Sequence, residues 1–212
     1  YGQATADAVA LAAEWIWAEK GPAGALVSLA RAGTPVGILL RRYLRWRYQA
    51  DLPHYTISII RDRGIDRNAM DYILAWHRPD SIQFVDGWTG KGAIQRQLNE
   101  AMEDYPGVDP SLAVLSDPAC VAGKYGTRDD FLIASSCLNS TISGLLSRTF
   151  LRTDIIGAED FHGAVFYREL QDQDLTNSFI GAIERRFRVP AADCGEETEP
   201  WGAGLEEVRE IG

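Results

Sequence analysis

The stretch that decides the fold runs from Ile82 to Gly92 and reads IQFVDGWTGKG. Its first four residues have the character of a short buried strand. Asp86 and a glycine-rich loop follow at once, and a helical pattern then covers residues 94–105. Glycines let the backbone approach a ligand closely, and the free N–H groups at a helix start favour an anion. The stretch therefore predicts a strand, a ligand-binding loop and a helix in direct succession.

Strands and helices alternate on both sides of this unit. Further strands are predicted near residues 25–28, 55–60, 112–115 and 131–134, and further helices over 5–20, 36–48, 66–77, 141–150, 164–170 and 178–187. The alternation indicates an α/β fold, with a mostly parallel sheet covered by helices on both faces. In such a sheet, ligands bind beyond the carboxyl ends of the strands.

The organisation of the chain is predicted to be simple. One domain is expected over residues 1–190, and the acidic residues 191–212 are expected to form a tail or surface arm. The chain opens almost directly into a helix at Tyr1, which suggests that the domain is incomplete at its N-terminus. A homodimer is a further expectation.

Composition excludes several functional classes. The 212 residues carry a net charge of −9, which argues against broad binding to nucleic acid. No apolar run approaches the roughly 18–20 residues that span a bilayer, and no leader sequence opens the chain, so we expect a cytoplasmic protein. The three cysteines, Cys120, Cys137 and Cys194, include no C-x-x-C pair, which makes a disulfide scaffold or structural zinc site improbable.

The glycine-rich loop holds the first group of candidate site residues. Thr89 offers a hydroxyl donor, Lys91 a positive charge, and Gly90 and Gly92 an accessible backbone, which together suit a phosphate. Asp86 at the strand end suits ribose hydroxyls or a magnesium ion. The alternative is a glycine-rich turn without a ligand.

Basic loops after the first two strands hold the second group. Arg31 and Gly33 follow the first strand, where a guanidinium and backbone amides can meet a phosphate. Arg61 and Arg63 follow the second strand, with Gly64 as a hinge. The alternative is that these loops are solvated charged turns.

The hydrophobic strand, the acid and the Thr/Gly turn resemble the signature of the type I phosphoribosyltransferases. A broader resemblance is to the phosphoribosyltransferase-like proteins of tellurium-resistance and stress operons, a group also labelled cysteine protease StiP. The segments that carry it are 28–37, 54–66, 84–94, 129–152 and 160–170. One departure from the usual pattern is Gly87, which stands where a second acid is common.

The resemblance implies a type I phosphoribosyltransferase fold and a reaction. The reaction is the transfer of phosphoribose from phosphoribosyl pyrophosphate, with Mg²⁺, to an unidentified acceptor, in making a nucleoside-like metabolite for a stress response. In that reading the ligand is a phosphosugar or nucleotide. The implied roles are phosphate binding by Gly33, Thr89, Gly90, Lys91 and Gly92, ribose or metal binding by Asp86, and neutralisation of pyrophosphate by Arg31, Arg61 and Arg63.

The later loops leave two other functions open. Asp117, Cys137, Asn139 and His162 are predicted to contact the acceptor. Cys137 and His162 alternatively form the nucleophile and base of a cysteine hydrolase or protease, with Asp160 or Asn139 orienting the base. The second alternative is a module that binds a nucleotide or phosphosugar without turnover.

Overall fold

The computed structural model describes residues 1–135, 140–191 and 200–210, except the side chains at 207, 209 and 210. A five-stranded parallel sheet forms its centre. The strands are β1 (Ala25–Leu29), β2 (His54–Ile57), β5 (Ile82–Val85), β6 (Leu112–Ser116) and β7 (Lys124–Thr127). They lie in the order β2-β1-β5-β6-β7. A small hairpin of β3 (Ile59–Ile60) and β4 (Gly64–Ile65) follows β2.

Helices cover both faces of this sheet. They are α1 (Gly2–Lys20), α2 (Gly33–Tyr48), α3 (Arg67–Leu74), α4 (Ala93–Met102), α5 (Thr176–Glu184) and α6 (Leu205–Glu210). One apolar cluster joins α1, α2 and α5 to the sheet, and another joins α3 and α4 to it. Every residue of β1, β5 and β6 is buried, as expected for central strands packed on both sides. The predicted α/β class with a mostly parallel sheet is confirmed.

The direction of winding changes between β1 and β5. From β1 the chain passes through α2 to β2 on one side, and from β5 it passes through α4 to β6 on the other. The two loops that leave this point lie against each other, because a Cβ on Gly33 would be 2.6 Å from the Val85 carbonyl oxygen. Such a switch point is where open α/β sheets form a ligand crevice.

The fifth strand of the sheet differs from its prediction. Residues 131–133 form no regular element, and β7 takes this place in the sheet instead. The sequence of β7, KYGT, does not indicate a buried strand, because it begins with a lysine. In the structure Lys124 is buried and pairs with Glu19 at 2.7 Å. Gly126 lets α1 approach closely, since a Cβ there would lie 2.4 Å from the Ala8 carbonyl oxygen.

Two predicted helices are also wrong. Residues 141–150 and 164–170 contain only parts of two short 3-10 turns, Ser140–Ile142 and Arg168–Gln173. Gly144 and Leu145 have φ angles of 82° and 57°, which a right-handed helix does not allow. The chain between the turns doubles back, and Phe150 and Gly163 exchange backbone hydrogen bonds of 2.9 and 3.0 Å. We call residues 144–166 the hairpin arm.

The part of the chain assigned to a tail lies partly against the domain. The Gly202 N–H donates to the Cys120 carbonyl at 2.7 Å, and Val208 packs against Ala119 and Val121. Within the described residues, no helix is both long and apolar enough to cross a membrane.

Candidate functional site

Three cavities open near the carboxyl ends of the strands. The glycine-loop cavity, of about 420 Å³, is lined by residues 88–95 together with Arg61, Leu112, Asp130 and Val208. The basic cavity, of about 610 Å³, is lined by residues 30–32, 59–61, Ile94, Ser135, Arg148 and Thr149. The His162 cavity, also of about 610 Å³, is lined by Arg63, residues 65–68, Asp71, Leu151, Thr153, residues 156–158, Asp160 and His162.

The glycine loop leaves a set of backbone donors unused. Within the described part of the chain, the N–H groups of Gly90, Lys91 and Gly92 have no protein acceptor. Gly92, the residue before α4, has φ 72°, a left-handed conformation that glycine adopts without strain. Thr89 differs, because its N–H donates to the Ser116 carbonyl at 3.1 Å and its hydroxyl donates to Asp117. Both hydrogen-bond donors of Thr89, its N–H and its hydroxyl, are therefore already used within the protein.

Asp86 lies half-buried at the switch point. Its carboxylate accepts the Gly87 N–H at 2.7 Å, and a Cβ on Gly33 would be 3.4 Å from it. Burial raises the pKa of Asp86 to about 7, and the Gly87 hydrogen bond only partly opposes that rise. The described residues contain no group of three or more His, Cys, Asp or Glu side chains able to hold a metal ion. Asp86 thus offers a single carboxylate, and its magnesium role stays a prediction.

Asp117 is a buried junction between loops. Its side chain accepts hydrogen bonds from the Thr89 hydroxyl, from the N–H groups of Val121 and Ala122 at 3.1 and 2.9 Å, and from the Arg128 guanidinium. The residue is 0% exposed. The sequence predicted that this carboxylate contacts the acceptor substrate. In the structure these donors occupy it, so the visible role of Asp117 is structural.

The structure brings Arg31 and Arg61 together in the wall of the basic cavity. Arg31 is half-buried and donates from Nη1 to the Leu146 carbonyl at 2.5 Å. Arg63 faces a different space, in the wall of the His162 cavity. Arg148, which also lines the basic cavity, was missed by the sequence interpretation because it fell inside a predicted helix. Its proximity to Arg31 and Arg61 appears only in the structure, because the three residues lie far apart in the sequence.

His162 is held at the end of β2. Its ring Nδ1 shares a hydrogen bond of 2.9 Å with the Ser58 hydroxyl, and its backbone N–H donates to the Asp66 carboxylate at 2.6 Å. The other Asp66 oxygen caps α3 by accepting the Ala69 N–H at 3.0 Å. The Asp160 carboxylate accepts the Gly157 N–H at 2.9 Å, so the visible partner of the ring is Ser58.

The other two histidines lie toward the opposite end of β2. His54 is half-buried and shares a hydrogen bond of 2.8 Å with the Ser28 hydroxyl. Burial lowers the pKa of His54 to about 4, which keeps it neutral. His77 shares a hydrogen bond of 2.8 Å with the Tyr55 hydroxyl. His162 is thus the histidine beside the loops at the carboxyl edge of the sheet.

The predicted residues Cys137 and Asn139 lie outside the described residues. Ser135, two positions before Cys137, lines the basic cavity and is 2% exposed. Its hydroxyl has no hydrogen-bond partner within the described structure. Cys120 is 7% exposed and adopts φ 55° in the loop after β6.

The fold and these cavities define an α/β protein with its candidate site at the switch point of a parallel sheet. Residues 1–184 match the family described as tellurite-like stress resistance cysteine protease StiP. The cysteine protease StiP of Acinetobacter baylyi (strain ATCC 33305 / BD413 / ADP1) is 42% identical over 171 residues, which cover 76% of this chain. The match covers 44% of that relative's length. The chain belongs to the StiP family.

This result corrects the function inferred from the phosphoribosyltransferase resemblance. The prediction of a phosphoribosyltransferase using phosphoribosyl pyrophosphate is wrong, because the family and the relative both carry the name of a cysteine protease. The alternative was a cysteine hydrolase, and the family name agrees with that class of enzyme. Its assignment to Cys137 and His162 stays a prediction. The link to tellurite stress agrees with the family description.

Proposed function

We propose that this chain carries the catalytic cysteine of a hydrolase that cleaves peptide bonds. The matched region, residues 1–184, contains Cys120 and Cys137 but not Cys194. Cys120 is buried in the loop after β6, and the histidine rings bond to Ser28, Tyr55 and Ser58. Cys137 is the remaining candidate for the nucleophile.

The observation that carries the proposal is the meeting of two segments at the end of β2. Ser58 holds the His162 ring, and the next residues, 59–61, line the basic cavity together with Ser135. Ser135 precedes Cys137 by two positions. The hairpin arm joins the same region, because Arg148 and Thr149 line the basic cavity while Leu151 and Thr153 line the His162 cavity. This proximity of the Ser58 and Ser135 segments supports His162 as the base and a nucleophile close in sequence to Ser135.

In the proposed reaction, His162 takes the thiol proton of Cys137 as the sulfur attacks the carbonyl carbon of the peptide bond. The carbonyl electron pair moves onto oxygen. The tetrahedral intermediate collapses, the C–N bond breaks, and His162 gives the proton to the leaving amine. Water then attacks the thioester, the C–S bond breaks, and the carboxylic acid and the thiol are released. Ser58 positions the His162 ring throughout.

The first test is the rate at which iodoacetamide modifies each cysteine between pH 5 and 9, followed by peptide mass spectrometry. A thiol activated by a histidine reacts as a thiolate below the ordinary cysteine pKa of about 8.5. We expect Cys137 to react faster than Cys120 at pH 6.5, and His162→Gln to remove the advantage. Cys120→Ala is the matched control and leaves the Cys137 rate unchanged.

The second test is hydrolysis of unfolded casein by the same proteins. We expect Cys137→Ala to lose the activity, with Cys120→Ala retaining it. Equal modification of Cys137 in the wild type and in His162→Gln would contradict the pairing. Full hydrolysis by Cys137→Ala would contradict the choice of nucleophile.

The finer parts of the sequence predictions remain proposals. The type I phosphoribosyltransferase arrangement of the sheet is supported by the meeting of the Gly33 loop and the Asp86 loop at the switch point. That proposal concerns the fold and not the reaction. The cytoplasmic location, the homodimer and the domain division at residue 190 stay predictions.

A further inference from the structure

The basic cavity concentrates positive charge in an acidic protein. The chain carries a net charge of −9, yet Arg31, Arg61 and Arg148 all line this one space. Within the described residues, no carboxylate lies within ion-pair distance of any of the three. Several arginines elsewhere are paired with carboxylates, as Arg41 is with Asp51 at 2.7 Å. A cluster of unpaired guanidinium groups creates a local positive potential that attracts anions.

A buried hydroxyl in the same wall also lacks a partner. Ser135 is 2% exposed, and its Oγ makes no hydrogen bond within the described structure. Burying a hydroxyl without a hydrogen bond is unfavourable, so such a group points to a bound ligand. A hydroxyl donates to an anionic oxygen as readily as to a carbonyl. Ser135 therefore adds a second, independent sign of a ligand.

Arg31 is held in place by the protein before any ligand arrives. It lies two positions after the end of β1 and donates one of its five guanidinium N–H groups to the Leu146 carbonyl. Its other donors remain available for a planar, two-oxygen group, which guanidinium binds through paired hydrogen bonds. The cavity volume of about 610 Å³ lies within the range of about 300–1,000 Å³ typical of small-ligand sites.

We infer that the basic cavity binds a carboxylate of the substrate, so that the hydrolase selects peptides with an acidic residue near the cleaved bond. The inference rests on the proposed cysteine hydrolase, whose nucleophile follows Ser135 by two positions. Arg31, Arg61 and Arg148 are the specificity-determining residues, and Ser135 donates to the same group. Phosphate oxygens share the relevant chemistry, and the test separates the two.

The first experiment measures binding without turnover. Calorimetry on Cys137→Ser protein uses glutarate as the carboxylate compound and inorganic phosphate as the alternative. We expect glutarate to bind and its affinity to fall tenfold or more in Arg31→Gln and in Arg148→Gln. Arg45→Gln is the matched control, because Arg45 is an exposed arginine on α2 that lies outside this cavity.

Two binding results overturn the inference. One is glutarate affinity that is unchanged in both cavity variants or absent in the unsubstituted protein. The other is phosphate binding that is tenfold tighter than glutarate binding and equally sensitive to Arg31→Gln, which assigns the cavity to a phosphorylated ligand. Neither result depends on peptide hydrolysis, so either is distinguishable from failure of the proposed function.

The second experiment measures selectivity. A mixture of peptides from digested casein is incubated with the protein, and the new termini are sequenced by mass spectrometry. We expect aspartate and glutamate to be enriched beside the cleaved bond, and Arg148→Gln to reduce the enrichment at least fivefold with Arg45→Gln unchanged. Cleavage that depends on Cys137 but shows no acidic preference overturns the specificity and leaves the hydrolase standing.

Discussion

Replacing Asp117 by alanine removes the carboxylate that joins three loops at the carboxyl edge of the sheet. Four donors lose their acceptor: the Thr89 hydroxyl, the N–H groups of Val121 and Ala122, and the Arg128 guanidinium. A buried donor left unsatisfied costs about 1–3 kcal/mol. Breaking a buried ion pair by removing one partner costs about 3–5 kcal/mol.

Partial access of water to Arg128 lowers the total loss of stability. The Arg128 side chain is 21% exposed, so it regains some hydration after the substitution. We therefore expect Asp117→Ala to reduce the free energy of unfolding by about 3–5 kcal/mol rather than by the sum of all four losses. For a chain of this length, about 2–4 °C is lost per kcal/mol, which predicts a fall in Tm of roughly 6–20 °C.

Urea unfolding followed by tryptophan fluorescence measures the change in free energy, since the chain has six tryptophans. Asp154→Ala is the matched control, because its carboxylate pairs with Arg152 on the surface and an exposed pair contributes at most about 1 kcal/mol. Asp117→Asn keeps an acceptor oxygen and should lose less than Asp117→Ala. A loss below about 1 kcal/mol for Asp117→Ala would refute the structural role of this carboxylate.

Three further outcomes are expected. Gly37→Ala should destabilise the fold by about 1–3 kcal/mol in urea unfolding, because the added Cβ would lie 2.0 Å from the Ser28 hydroxyl. Between pH 4 and pH 8, the free energy of unfolding of Asp86→Asn should rise by roughly 2–4 kcal/mol relative to that of the wild type. The native pKa of Asp86, about 7, exceeds the unfolded value of 3.8, so the wild type loses stability as the pH rises between these two values. Ser58→Ala should slow modification of the thiol at pH 6.5 severalfold, because it frees the His162 ring that Ser58 now holds.

Each outcome has a clear contrary result. Wild-type stability in Gly37→Ala would mean that α2 lies farther from β1 than described. A difference between Asp86→Asn and the wild type that is independent of pH would mean that Asp86 is not buried when charged. An unchanged modification rate in Ser58→Ala, alongside a slow rate in His162→Gln, would assign the orientation of the ring to another group.

The centre of the fold was predictable because its strands carry a continuous apolar pattern. The strands β1, β5 and β6 are buried throughout, and helices separate β1 from β2 and β5 from β6, which suffices for the parallel arrangement. The strand β7 was not predictable, because its lysine and glycine are explained only by Glu19 and by the backbone of α1. The hairpin arm was missed because backbone pairing across a long loop leaves no local period.

The candidate site also has a part that the sequence predicts and a part that it does not. That Arg31 and Arg61 lie together follows from the rule for carboxyl ends of parallel strands. The contact between Ser58 and His162 joins residues 104 positions apart, through an arm whose path the sequence does not indicate. The role of Asp117 was misjudged for a different reason: its position after a strand is typical of a ligand contact, and its burial depends on loops that fold over it.

The most direct test of the account is to trap the covalent intermediate. An activated ester, p-nitrophenyl acetate, replaces the unknown substrate, and a catalytic thiol attacks it to form an acetyl thioester with a burst of p-nitrophenolate. We predict a burst of about one equivalent per chain at pH 7, the acetyl group on Cys137 in peptide mass spectrometry, and no burst in Cys137→Ala. A burst that persists in Cys137→Ala, or acetylation found equally on Cys120, would contradict the assignment of Cys137 as the nucleophile.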